Sequence, residues 1–117
     1  MDVIHISEQI QFKINQLDLS INKLKERSIN KAESISEYDR VLAITIIKLK
    51  NNVVFELDGE KVEKPPVTII EKLAKGICYK ERLQLETADA EYKSLMSGIA
   101  CIQAQLNAYQ SIFRHMQ

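Results

Sequence analysis

The sequence predicts a mainly all-α fold: a long antiparallel helical hairpin with a small β-hairpin and a short helix at its tip, assembling into an oligomeric bundle. Three observations predict it. Two stretches of about 40 residues repeat apolar side chains in steps of three and four, the period of a coiled-coil seam. A β-branched, alternating stretch around Asp58-Gly59 separates them. The composition has three Gly, two Pro and no Trp in 117 residues, with 27% charged and 45% hydrophobic side chains, which suits long helices.

The first helix is expected over about 7–50. Its seam reads Ile10, Ile14, Leu17, Ile21, Leu24, then Ser28 and Lys31 as polar interruptions, then Ile35, Tyr38, Leu42, Thr45 and Leu49. Ser7 is the candidate N-cap, although Ile10 stands where a capping box needs Glu or Gln. Asn51-Asn52 ends the pattern, and Val53-Val54-Phe55-Glu56-Leu57 reads as a strand. Asp58-Gly59 suits a type I′ turn, whose two central residues need positive φ. Pairing across it sets Phe55 opposite Val62 and Glu56 opposite Lys61, and puts Val53, Phe55, Leu57 and Val62 on one face. The β-hairpin is expected over about 53–63 and stops at Pro65-Pro66, which cannot donate to a ladder.

Thr68 and Glu71 have capping-box spacing, so a short helix is expected over about 69–75, with Gly76 as its left-handed cap or as a kink. The final helix, about 77–115, carries the clearest seam: Leu85, Ala88, Tyr92, Leu95, Ile99, Ile102, Leu106, Tyr109 and Phe113. The chain is thus read as a single helical-hairpin domain.

A second pattern lies on this last helix. The twenty residues from Ser94 to Phe113 carry no charge. Three Gln, one Asn and three Ser make the window a poor membrane span. Small residues, Ser94, Ser97, Cys101, Ala104, Ala108 and Ser111, recur along another flank and would let a second backbone approach closely. Two facing helices of about 40 residues use roughly 22 core positions on a two-in-seven pattern, and the hydrophobic content exceeds that by about thirty residues. A homo-oligomer, a dimer or higher, is therefore expected, with an interface of Ser97, Cys101, Ala104, Ala108, Leu95, Ile99, Ile102, Leu106 and Phe113.

Sixteen basic and sixteen acidic residues balance, which removes the global field of a protein that coats nucleic acid. Neither nucleic acid nor membrane is an expected partner. The start of the chain has no basic region leading into an apolar run, so a cytoplasmic location is expected. Cys78 and Cys101 would lie roughly 34 Å apart on one helix and so cannot pair. They read as buried structural thiols. With His5 and His115 as the only histidines, no metal site or cofactor is expected. No nucleophile elbow, phosphate-binding loop, dinucleotide fingerprint or zinc-protease motif occurs, and an enzyme is not expected. Glu81, Glu86, Asp89 and Glu91 alternate with Lys80, Arg82 and Lys93, as on a solvated helix face.

Two surfaces remain as candidate binding sites. Lys72, Lys75, Lys80 and Arg82 surround Gly76 beside Tyr79, a cation cluster at a helix junction suited to a phosphate or small nucleotide. The face of Val53, Phe55, Leu57 and Val62 must pack on a helix, pair with another subunit or dock on a foreign protein, because a two-stranded ribbon is marginal alone.

Glu37-Tyr38-Asp39-Arg40-Val41-Leu42-Ala43 and Pro66-Val67-Thr68-Ile69-Ile70-Glu71-Lys72-Leu73-Ala74-Lys75-Gly76 resemble words found in small proteins encoded by phages and prophages of low-GC Gram-positive bacteria. Ala90-Glu91-Tyr92-Lys93-Ser94 and Leu106-Asn107-Ala108 continue the likeness, which covers about residues 24–113. The resemblance implies a helical hairpin and a phage context, with no functional residues to carry over. The order helix, β-hairpin, helix is also similar in layout to the β subunit of prefoldin, whose arms hold unfolded clients. In the phage context the expectation is a non-enzymatic accessory protein that binds and inhibits or sequesters a host component, such as part of an anti-phage defence system. The alternatives are a sponge that holds a nucleotide signal in inter-subunit pockets, an accessory to recombination or replication that binds single-stranded DNA, and a structural assembly factor.

Overall fold

Asp2, rather than Ser7, starts the first helix. In the computed structural model, which describes residues 2–116, the Asp2 Oδ1 accepts from the backbone N–H of His5 at 2.7 Å, and helix α1 runs Val3–Lys50. A carboxylate at this position satisfies a donor that the first turn leaves unpaired and faces the positive end of the helix dipole. Asp2→Ala should cost the first turn about 1 kcal/mol. Amide exchange there should quicken about fivefold, and Asp2→Asn should keep most of the protection.

After α1 come β1, Phe55–Leu57, and β2, Glu60–Val62. A 3₁₀ turn, Val67–Ile69, then leads into α2, Ile70–Ile77, and α3, Tyr79–Met116. The mainly helical fold class is as expected. The chain divides into two compact units: residues up to Ile29 together with those from Ala90 onward, and Asn30–Asp89.

In the unit of Asn30–Asp89, α1 and the start of α3 run antiparallel, since Lys31 meets Asp89 at 2.9 Å while Thr45 meets Cys78 at 3.4 Å. The end of α1 is a Schellman motif. Asn52 takes φ 60°, Val53 N–H donates to the Lys48 carbonyl and Asn52 N–H to that of Leu49. The β-hairpin has the expected register, Phe55 with Val62 and Glu56 with Lys61. Asp58 at φ 50° and Gly59 at φ 82° give the turn its two left-handed residues. Phe55 and Val62 pack with Leu42, Ile46, Leu73 and Ile77 around the buried trio Leu49, Ile70 and Ala74.

Two capping expectations are corrected here. Thr68 does not cap α2: Ile69 holds the N-cap position with no side-chain hydrogen bond. Pro66 at ψ 142° leads into the 3₁₀ turn, where Ile69 N–H reaches the Pro66 carbonyl and Ile70 N–H that of Val67. Tight backbone bonding thus satisfies donors at the start of α2 without a side-chain cap. Gly76 is neither a left-handed cap nor the break, for it lies inside α2. The break is Cys78, at φ −88° and ψ 25°, and hydrogen bonding resumes at once with Arg82 N–H on the Cys78 carbonyl. The Thr45 hydroxyl donates to the Val41 carbonyl at 2.8 Å, so its lone pairs are left to accept from the Cys78 thiol. A Cβ at Gly76 would stand 3.5 Å from Leu57 Cδ2, an ordinary contact. Gly76→Ala should therefore raise stability by about 0.5–1 kcal/mol, read as a higher Tm.

In the other unit, Ile6 and Leu106 are buried, and Arg27 pairs with Glu91. The α3 seam is as expected at every position from Leu85 to Phe113, each buried or half-buried. The α1 seam is corrected in three places. Ser20, Arg27 and Ser34 turn inward where Ile21, Ser28 and Ile35 were expected, leaving Ile21 52% and Ile35 38% exposed. From Leu17 to Tyr38 the inward residues alternate steps of three and four, and Arg27 and Lys31 thereby reach their carboxylates.

Candidate functional site

The short α2 and the first turns of α3 meet at the Cys78 break, and the single non-helical residue there opens a groove between them. Lys72, Lys75 and Gly76 line it from α2, and Tyr79, Arg82, Leu83 and Glu86 from α3, around a volume of about 500 Å³. Four of the five residues expected at the anion site are therefore together. The fifth, Lys80, lies outside the lining and places its Nζ 6.0 Å from the centroid of the Tyr79 ring, a distance at which the ring face still attracts a cation.

Two of the groove's cations are shared with carboxylates. Lys75 stands 3.7 Å from Glu71, and Arg82 donates to Glu86 at 3.1 Å. Both are exposed pairs one helical turn apart, which hold their partners only weakly. Leu83 was not singled out by the sequence, because it falls outside the α3 seam. It is 63% exposed, one turn beyond Tyr79 at 53%.

Two smaller clefts occur in the same unit. One, of about 260 Å³, lies between Ile46 and Lys50 of α1 and Val67, Ile70 and Glu71. The other, of about 250 Å³, is lined by Asn30, Glu33, Ser34, Glu37 and Gln84. There the hydrogen bond from Arg40 Nη2, at 2.7 Å, and then its charge hold the Glu37 carboxyl below its ordinary range. Both side chains of that pair are well exposed.

The structure divides the residues expected at the oligomer interface. Ser97, Cys101, Ala104 and Ala108 face outward and are exposed. Leu106 is buried, and Leu95, Ile99, Ile102 and Phe113 are half-buried, within the single chain, so this larger seam is already used. Of the three uses open to the β-hairpin face, the structure shows packing on the chain's own helices. Phe55 and Val62 pack against the chain's own core and Leu57 is half-buried, whereas Val53 lies outside the strand and is exposed. Of the two thiols expected inside, Cys78 is buried and Cys101 is exposed. Among the described residues, no three His, Cys, Asp or Glu side chains stand together as metal ligands, and no helix is long and apolar enough to cross a membrane.

No protein family, curated protein or solved structure matches the chain.

Proposed function

We propose that this chain is a non-enzymatic binding protein that self-associates and, in a phage context, docks on and inhibits a host component. One observation carries the reading. Among the described residues seven hydrophobic side chains are buried, while eighteen large ones, Phe12, Leu19, Ile47 and Val67 among them, are exposed. Scattered exposed apolar residues are ordinary, but so many beside a core of few fully buried ones support a surface that partners cover. Phe12 and Leu19 lie seven residues apart on one face of α1, 53% and 65% exposed. The phage context rests on the resemblance of the words around Glu37, Pro66 and Ala90.

The test is affinity capture from a low-GC Gram-positive host, with the full chain and its Phe12→Ser/Leu19→Ser variant. The wild type should retain a host protein in fixed stoichiometry, and the variant should retain about tenfold less at equal helix content. Retention of nothing above the control would remove the docking reading.

A further inference from the structure

We propose that the groove between α2 and α3 docks an acidic amphipathic segment of a partner protein. An apolar side chain of that segment sits between Tyr79 and Leu83, and its carboxylates meet Lys72, Lys75 and Arg82. The proposal rests on the docking reading above and names the chemistry of one partner surface.

Charge complementarity selects the occupant. Three cations and one carboxylate line the groove. Lys72 has no ion-pair partner among the described residues, and Glu86, the one acid, is already engaged with Arg82. The exposed pairs of Lys75 and Arg82 are worth little in water, so an incoming carboxylate can take over either cation at small cost. The floor selects the apolar anchor. Tyr79 and Leu83 are one turn apart on α3 and both more than half exposed, a spacing that an amphipathic helix meets with residues at i and i+3 or i+4.

Openness selects a protein segment over a small ligand. A small-molecule site encloses roughly 70–90% of its ligand, whereas here the Lys75 and Arg82 side chains are themselves 44% and 53% exposed. A segment lying across the groove covers these side chains from outside.

The test selects a library of random 14-residue peptides on the immobilised full chain, with counter-selection on the Lys72→Glu/Arg82→Glu variant. The enriched peptides should carry Glu or Asp flanking Leu, Phe or Met at helical spacing. A synthetic member should bind about tenfold more weakly to that variant and to Leu83→Ser, both with unchanged circular dichroism. Replacing its acids with Lys should restore binding to the Lys72→Glu/Arg82→Glu variant. Enrichment without acidic bias, or binding equal to wild type in both variants, would overturn the assignment. Displacement of the peptide by micromolar AMP would overturn it in favour of a nucleotide site. If the groove fails while host capture still depends on Phe12 and Leu19, the docking reading stands without it. Loss of that capture as well removes the reading itself.

Discussion

Leu49→Ala should lower the stability of the Asn30–Asp89 unit by about 3 kcal/mol, within the 2–5 kcal/mol typical of emptying a buried leucine site. Leu49 is 1% exposed and touches the only other fully buried members of its cluster, Ile70 and Ala74. Its surroundings cannot readily collapse into the space. The α1 backbone is pinned immediately downstream by the Schellman bonds of Asn52 and Val53, and the β-hairpin above is held by its turn. The readout is amide exchange. Protection in β1, β2 and α2 should fall by about a hundredfold, while the amides around Ile6 and Leu106, in the other unit, should keep theirs. A uniform loss in both units would show that they unfold together. A cost below about 1 kcal/mol would place the core elsewhere.

Ala74→Leu should be the second large effect, a loss of up to about 3 kcal/mol from overpacking. Ala74 is fully buried one turn along α2 from Ile70, in the cluster they form with Leu49 of α1, so three added carbons can be housed only by moving α2 or forcing a rotamer. A thermal melt measures the loss, and a rise in Tm instead would reveal unfilled space. The two substitutions are complementary in volume and in contact. The double variant should accordingly be less destabilised than the sum of the singles by about 1 kcal/mol or more, a coupling that distant sites do not show.

How far the fold could be read in advance differs between the two long helices for a physical reason. In α3 the large residues from Leu85 to Phe113 recur without a polar interruption, and the inward face follows them at every position. In α1 the seam contains Ser20, Arg27, Lys31 and Ser34, and the inward turn of Arg27 and Lys31 goes with carboxylates more than 50 residues away. A reading that favours large apolar residues selects Ile21 and Ile35 instead. Asp58-Gly59 was legible because positive φ is a local demand. The helix break was misplaced at Gly76 because the contact at the true break, Cys78 with Thr45, joins residues 33 apart in sequence. The cations of the groove were legible as a cluster, but the exposure of Leu83 was not, since it depends on which residues α3 turns toward the core.

Native mass spectrometry of the protein purified from host cells tests the central claim, that its outward apolar faces are covered by partners. The wild type should appear as an oligomer or in complex with a host protein, and the Phe12→Ser/Leu19→Ser variant should lose the host protein. A bare monomer at micromolar concentration, for the wild type and the variant alike, would contradict it.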